Sequence, residues 1–567
     1  MSLESKSNWN IPEKIKEDNV VQHLLKKRGI EEEEKFLNPS ISDIPSHTNL
    51  YDSAKAAKKI LEYARAGKKI VIHGDYDADG ICATSLLWNF LYRDLATHLN
   101  MKVYVVPYIP SRVDQGYGLT ESSLNDVITL GGDLLISVDC GVRDRELIER
   151  YIDEGRLDFV ITDHHQPAEG FKVCKKYPLV HQMYPKHEYP QQEICGTTVV
   201  FLLIQAIKAE VGMDANINAD TSGLDLVALS TITDLMPLVG VNRTFVKYGL
   251  KQINEGKRLG LRMLALRAGV EVKDIDTYHL GYVIGPRINA AGRIGSPLEA
   301  VKLLVSNDEE QCKTIANDLN NVNFSRQQMT MEILESAKKD VVDTDNMIFI
   351  VGQGWHEGII GLVAGKLEEE YYKPVLVATN NEGIIKGSAR SVKGFNITQT
   401  LEKFSPYLER FGGHELAAGF TAKTKTIEEF RIEIIKYANE SLDQNSLKKE
   451  VNIDLNLESG NIDRSLIEKM KILEPFGYGN SKPLVFLGNV IIVKKYPLGK
   501  DQSHLKLMVK GNGTELLTLV LFNCFDDIQK LNENDEIDVI GYPNINVWNG
   551  NETIQFQVKE WRFSTVN

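Results

Sequence analysis

KKIVIHGDYDADGICATSLLWNFL, residues 68–91, decides how the rest of this chain is read. It opens on a short continuous apolar run, KKIVIHG (68–74). It then turns through His73-Gly74-Asp75-Tyr76-Asp77-Ala78-Asp79-Gly80 and leaves in a helix-like run, ICATSLLWNFL (81–91). Alternating acids in a tight turn converge on a cation, because each carboxylate supplies a hard anionic oxygen. Gly80 opens the helix and puts its backbone N–H groups near a bound phosphate. A calcium loop also begins DxDxDG. Here the preceding strand, and the missing glutamate five or six residues beyond Gly80, argue against that reading.

Two further apolar runs follow, GDLLISVDCG (132–141) and LDFVITDHH (157–165), with helical stretches between them. Near-continuous apolar strands separated by helices predict a buried parallel sheet. All three strands end in acids or histidines, and ligands of open α/β sheets bind beyond the carboxyl ends of the strands. Asp139 is the second candidate ligand, although a lone aspartate ending a strand is more often a helix cap. Asp163-His164-His165 is the third constellation, and imidazole favours Mn, Zn or Fe over Mg. Asp234, in STITDLMPL, ends an apolar helix-like run and taken alone is a surface or capping acid. Cys140, beside Asp139, reads as a small buried filler and not as a nucleophile.

The 567 residues are too many for one hydrophobic core, so about two to four domains are expected. Residues 1–50 are polar, with EEEE at 31–34, and read as a helical arm or extension whose acidic run is a solvated face. An alternating helix–strand pattern begins at about 51 and passes into a helical region, and 51–296 are read as one domain. Residues 297–345 are largely one helical pattern, predicting a long connecting helix. A second α/β segment occupies 346–440, and SLDQNSLKKE (441–450) reads as a linker. Residues 451–567 switch to short alternating strands with a hairpin signal at Trp548-Asn549-Gly550-Asn551, which predicts a small β-barrel. Composition is ordinary for a globular protein, at 43% hydrophobic and 25% charged. No apolar run approaches the ~20 residues that span a bilayer, and the polar N-terminus lacks a secretory core. Six scattered cysteines without a CxxC pair read as reduced thiols of a cytoplasmic protein. The net charge of -13 gives no general attraction to phosphate, so any nucleic-acid path must be locally basic.

In order, His73, Asp77, Asp79, Asp139, Asp163-His164-His165 and Asp234 resemble the four motifs of the DHH phosphoesterase family, with no departure at a ligand position. The resemblance implies two divalent metal ions, Mn2+ or Mg2+. One would take His73, Asp77 and Asp139. The other would take Asp79, Asp139, His164 and Asp234, with Asp139 bridging. It also implies that His165 faces the scissile phosphate, that Asp163 orients the histidines, and that Asp75 belongs to the same turn with a less defined role.

Within that family the chain resembles the RecJ branch. Pro110-Ser111-Arg112 with Gly116-Tyr117-Gly118-Leu119 is similar to its PxR…GYGL element. Gly285-Pro286-Arg287-Ile288-Asn289-Ala290-Ala291-Gly292-Arg293 is similar to its GPRxNAAGR signature. Gly354-Trp355-His356-Glu357-Gly358, Ser388-Ala389-Arg390-Ser391 and Gly412-Gly413-His414-Glu415 follow the order of the DHH-associated domain. The implied architecture is a parallel-sheet phosphoesterase domain, a connecting helix, a DHH-associated α/β domain and an OB-like barrel.

The implied activity is 5′→3′ hydrolysis of single-stranded DNA to 5′-mononucleotides in recombination and repair. Single-strand-binding protein and a RecQ-type helicase are the implied partners of a monomer. Arginines make forked contacts to phosphate, so Arg112, Arg287, Arg293 and Arg390, with Ser388, Gly412, Gly413 and His414, are the candidate substrate contacts. Arg287 and Arg390 stand first for a 5′-phosphate pocket, and the two glycines suggest an anion nest. Tyr76, Tyr117 and Trp355 are candidate stacking residues, and Lys494, Lys495, Lys500 and Lys506 are candidates for a basic path on the barrel. Two other readings use the same ligands: a phosphodiesterase for oligoribonucleotides or cyclic dinucleotides, and a non-catalytic single-strand-binding scaffold. The first lacks the GPRxNAAGR segment and the barrel, and the second loses metal ligands.

Overall fold

The structure, a computed structural model, describes residues 2–14, 19–111, 115–168, 170–172, 175–184, 189–216, 221–381, 383–443, 447–511, 516–548 and 550–564. Arg112, Cys174 and Asn549 therefore lie outside the described residues. The chain forms two compact units. One comprises Pro39–Ile435 with Gly477–Gly479, the other Met1–Asn38 with Lys436–Phe476 and Asn480–Asn567.

The first unit contains a five-stranded, wholly parallel sheet. Its strands lie in the order Val105–Tyr108, Ile70–His73, Leu134–Val138, Asp158–Thr162 and Leu179–Val180. Ile70, Val71, Ile72, Leu134, Leu135 and Ile136 are fully buried, because helices cover both faces. The register sets the three central strand ends level: His73 stands opposite Ser137, and Val138 opposite Thr162. Asp139 and Asp163 each follow directly, so their side chains emerge at one rim of the sheet.

Helix Ala78–Asn89 leaves the acidic turn and is buried over its first ten residues. Packed around it are Gly196–Val211 and Leu224–Thr233, apolar on all sides and correspondingly buried. Helix Gly285–Ile294 crosses this turn. The Asn289 side chain accepts a 2.8 Å hydrogen bond from the Ala78 N–H, and any Cβ at position 292 would collide with the Tyr76 carbonyl oxygen. Small residues in NAAGR thus let one backbone press onto another.

The helical pattern after 296 resolves into Pro297–Val305 and the thirty-residue Glu309–Lys338, about 45 Å long at 1.5 Å per residue. The break falls where Asp308 caps the longer helix, accepting from the Gln311 N–H at 2.9 Å. A second five-stranded sheet follows, in the order Leu408–His414, Ala417–Lys423, Ile384–Arg390, Val375–Asn381 and Ile348–Gln353, with the last pair parallel and the others antiparallel.

In the other unit, strands Val485–Leu498, His504–Lys510, Leu516–Leu521, Glu536–Trp548 and Asn551–Phe563 close into a barrel. The first pairs with both the second and the fourth, and the third runs parallel to the fifth. That closed, partly parallel connectivity is the OB topology. The polar N-terminal segment forms helices Val20–Lys27 and Glu33–Leu37, but its first residues add to the barrel's unit as a strand. Asn8–Asn10 pairs in parallel with Glu450–Asn452. The Ser5 N–H donates to Trp561 O at 2.7 Å, and Trp9 Nε1 donates to Glu560 at 2.9 Å.

Replacing Gly292 by alanine forces a methyl group against the acidic turn. Overpacking of this kind destabilises by about 1–3 kcal/mol, so G292A lowers the thermal midpoint. An unchanged midpoint would show that helix and turn are not pressed together.

Candidate metal centre and phosphate pocket

Asp77 holds the turn closed by capping the helix it precedes: its Oδ1 accepts from the Asp79 N–H at 2.9 Å and the Gly80 N–H at 3.1 Å. Asp79 is fixed from a distant part of the chain. Its carboxylate sits at the N-terminus of Gly196–Val211, where it accepts from Gly196 N at 2.6 Å, Thr197 N at 2.8 Å and Thr197 Oγ1 at 2.7 Å, and also from Ser230 Oγ. Gly196 is close-packed on the next ligand, since a Cβ there would lie 2.8 Å from that of Asp139. Asp139 itself has φ 64°, and Leu235, just after Asp234, has φ 55°. Left-handed backbone at non-glycine residues is costly and gathers at functional sites.

Asp163 turns back into the protein. Its Oδ2 accepts from Val142 N at 2.9 Å, and its Oδ1 accepts from the backbone N–H groups of His164 (2.7 Å) and His165 (3.1 Å) and lies 2.8 Å from His165 Nδ1. Gln182 and His181 hold the carbonyls of His164 and His165, each at 2.9 Å.

Three groups of ligand atoms result, each with its members within 4.8 Å of one another: Asp75, Asp77 and Asp139; Asp139, His164 and His165; and Asp79, His164 and Asp234. His164 Nε2 stands 3.1 Å from Asp139 Oδ1, 3.6 Å from Asp234 Oδ2 and 3.8 Å from Asp79 Oδ2. Two ligands bound at right angles, each ~2.1 Å from one cation, stand about 3 Å apart. His164 Nε2, Asp139 Oδ1 and Asp234 Oδ2 are buried and have no hydrogen-bond partner. Unsatisfied, converging donor atoms of this kind fit a metal ion and little else. His73 lies outside these groups. Its Nε2 is buried without a partner, while its Nδ1 faces Cys140 Sγ at 3.7 Å.

Charge agrees with geometry. Burial, and then the charge of Asp79, push Asp77 up and drive Asp139 and Asp234 well above the usual carboxylate range. Burial lowers His73 to about 4, and burial with the neighbouring His165 lowers His164 to about 4, so both imidazoles stay neutral with a lone pair available. Burial works against the charges of Asp163 and His165. Their mutual hydrogen bond outweighs it, holding Asp163 below the usual range and raising His165. Burial pushes the Cys140 thiol well up, so it is no ready thiolate.

Arg293 lies at the far end of the helix that touches the turn, with Nη1 donating to Gly358 O at 3.3 Å. It lines a cavity of about 410 Å³ together with Ser388, Arg390 and Arg410. Gly412, Gly413 and His414 lie alongside in strand Leu408–His414, paired with Gly419, Ala418 and Ala417. The two glycines are therefore in extended backbone, at the edge of the sheet, and do not form a nest. Arg287 does not line this cavity. It donates to Val283 O at 2.7 Å and Asn320 Oδ1 at 3.1 Å. Of the candidate stacking rings, Tyr76 and Trp355 are partly buried against hydrophobic core, and Tyr117 is exposed and meets His165 edge-on, with ring centroids 5.4 Å apart. On the barrel, Lys495 Nζ is used structurally, donating to the carbonyls of Ile528 and Leu531.

Sequence reasoning missed Gly196, Thr197, Ser230, Gln182, His181 and Asn289 as supports of the site. The one available signal was GTT at 196–198, a short polar start to an otherwise apolar helix.

Comparison with known proteins supports the same division of the chain. The profile described as "DHH family, N-terminal domain" matches residues 69–231, "DHHA1 domain" matches 344–440 and "RecJ OB domain" matches 453–560. A protein of Bacillus subtilis (strain 168) named "Single-stranded-DNA-specific exonuclease RecJ" is 31% identical over 578 residues, covering 98% of this chain and 71% of that protein. Its namesake in Haemophilus influenzae is 28% identical, covering 96% of this chain and 94% of that one. The crystal structure of RecJ from Thermus thermophilus in complex with Mn2+ superposes with a TM-score of 0.82 at 27% identity, over 99% of this chain and 80% of that one. The same Thermus protein has also been solved in complex with Mg2+. With three domains in that order and similarity along nearly its whole length, the chain belongs to the RecJ family.

Proposed function

We propose that this chain is a metal-dependent exonuclease that degrades single-stranded DNA from its 5′ end and releases 5′-mononucleotides. The observation that carries this reading is the pairing, through one helix, of a cluster of unpartnered ligand atoms with a guanidinium-lined cavity. Asn289 touches the acidic turn, and Arg293, four residues on, is about 6 Å further along the helix axis. A terminal phosphate in the cavity would then be held by the same helix that touches the ligand cluster, which suits cleavage close to a strand end.

When bound, two Mn2+ or Mg2+ ions supply an activated water and neutralise charge developing on the phosphate. Asp77, Asp139 and His73, with Asp75 beside them, would hold the first. Asp79, Asp139, His164 and Asp234 would hold the second. Asp163 fixes His165 through Nδ1, leaving Nε2 to donate to the scissile phosphate. Arg293, Ser388 and Arg390 grip the terminal phosphate, and the exposed strand through Gly412, Gly413 and His414 flanks the nucleotide. The RecJ resemblance further supports a monomer acting in the cytoplasm beside single-strand-binding protein and a RecQ-type helicase. No helix among the described residues is long and apolar enough to cross a membrane.

The first test uses an internally labelled single strand with Mn2+ or Mg2+, bearing either a free 5′-phosphate or a blocked 5′ end. Mononucleotides should appear from the free end only and disappear in Asp139→Ala. Arg390→Ala should lower kcat/KM on the phosphorylated strand about tenfold to a hundredfold, the worth of one charged hydrogen bond. Turnover of a dinucleotide with no cleavage of either strand would move the protein to the small-substrate branch.

Raised carboxyl values mean that the folded chain holds protons the unfolded chain releases. Metal-free stability therefore falls as pH rises from about 4, the unfolded aspartate value, through the raised folded values. Divalent cation restores it at pH 7. Asp139→Asn should melt higher than the parent in EDTA and gain less from Mn2+. A parent midpoint indifferent to both pH and Mn2+ would contradict a buried cation site.

A further inference from the structure

Asp234 is placed differently from the other acids of the metal centre. Asp79 lies within a helix, and its carboxylate accepts from Gly196 N, Thr197 N, Thr197 Oγ1 and Ser230 Oγ. Asp234 Oδ2 has no hydrogen-bond partner, so the position of this carboxylate depends on its backbone. That backbone ends helix Leu224–Thr233 and opens a loop of five residues before helix Gly240–Asn254. On the near side, Asp234 N, Leu235 N and Met236 N donate to Ser230 O, Ile232 O and Thr231 O at 2.9, 3.3 and 3.0 Å. Leu235 is 68% exposed and adds little packing. The first buried residues after the ligand are Pro237 and Leu238.

These two residues are held by a distant tripeptide, Gly477-Tyr478-Gly479. It belongs to the same compact unit as the metal centre, although the residues on either side of it in sequence belong to the other unit. Leu238 N donates to Tyr478 O at 2.7 Å. The glycines let the tripeptide lie flat on the loop. A Cβ at 477 would stand 2.7 Å from Leu238 Cδ1, and one at 479 would stand 2.8 Å from Pro237 Cβ and 3.1 Å from its Cα. Gly479 also has φ 72°, in the left-handed region. The Tyr478 side chain is 61% exposed, so within this contact the residue serves through its carbonyl. Asn242 Nδ2 holds the loop separately, donating to Pro237 O at 3.1 Å and to Glu193 O at 2.6 Å.

We propose that Gly477-Tyr478-Gly479 is a positioning segment of the metal centre: by clamping Pro237 and Leu238 it fixes Asp234 against Asp79 and His164, and so sets the affinity of the ion those three would hold. The role rests on the two-cation reading above. Without a cation, Asp79 and Asp234 repel each other, and of the two only Asp234 stands at the mouth of a loop that can yield. A ligand spread over many positions binds an ion only in the fraction of molecules that place it correctly, and the apparent affinity falls by that fraction. The clamp touches neither ion nor substrate and acts through the loop alone.

The test is Mn2+ binding to the metal-free full chain, followed by calorimetry and by the paramagnetic resonance signal of unbound Mn2+, which together count the ions and give each affinity. Gly479→Ala drives a methyl group onto the rigid Pro237 ring. It should weaken one of the two Mn2+ steps about tenfold, the scale of losing an outer support of a ligand, and leave the other as in the parent. Gly269→Ala is the control for backbone cost, since Gly269 has φ 77° in the same unit and nothing within 4 Å of a Cβ; it should keep both steps. Should Gly479→Ala not fold, Gly477→Ala decides, because its methyl meets the movable end of Leu238 and should weaken the same step less. If Gly479→Ala binds both ions with the parent's affinities, weakens both steps equally, or loses no more than Gly269→Ala, the clamp is overturned while the two-cation reading stands. If the parent chain itself binds no Mn2+, the two-cation reading falls, and the clamp with it.

Discussion

Like-charge repulsion among buried carboxylates governs this molecule. Asp75, Asp77, Asp79, Asp139 and Asp234 are crowded at the rim of one parallel sheet, where burial and mutual charge make ionisation costly. Among the described residues no lysine or arginine pairs with Asp77, Asp79, Asp139 or Asp234, as a structural ion pair would require. Asp77 and Asp79 are instead held in place by backbone N–H groups, a helix N-terminus and hydroxyls. Such donors orient a carboxylate without cancelling its charge. The outcome is a rigid negative socket whose unused oxygens and imidazole nitrogens point at each other. The left-handed backbone at Asp139 and Leu235 is a local strain that the packed strands and helices sustain.

Around the socket, close backbone approach does the positioning. Gly196 lets a helix end meet Asp139, and Gly292 lets another helix lie on the acidic turn. Because Gly285–Ile294 touches the turn at Asn289 and reaches the second sheet's cavity at Arg293, the two parts of the site share one rigid ruler. A shift of the second sheet would have to move or break that helix. Fixed spacing between nucleophile and anchor is what positions a substrate for in-line attack.

Much of this was legible in the sequence because its key residues sit where strands end. An apolar run followed by acids or histidines is visible one segment at a time, and the parallel sheet then makes the ends neighbours. What escaped was the support of those residues. Asp79 is held by Gly196, Thr197 and Ser230, more than a hundred positions away, and no local pattern announces such a contact. The allocation of arginines also escaped. Arg287 and Arg293 occupy the same helix and the same motif, but six residues place them on different sides, so one enters the cavity and the other meets Asn320. The glycine pair at 412–413 read as a turn-like nest, yet a partner strand with its own small residues flattened it. The break between Pro297–Val305 and Glu309–Lys338 carries neither glycine nor proline; a capping aspartate alone marks it.

The stitching of Asn8–Asn10 to Glu450–Asn452, and of Ser5 to Trp561, has a consequence for biosynthesis. Residues 5–10 leave the ribosome long before the partners they will pair with, while everything between them can fold first. This segment must therefore wait, unpaired, through the synthesis of more than four hundred residues. Its polar composition, with few apolar side chains besides Trp9, lets it wait in water without seeding aggregation. The same linkage means that excising the barrel strips the early strand of its partner, so a truncated protein would differ from the intact one at two places far apart in sequence.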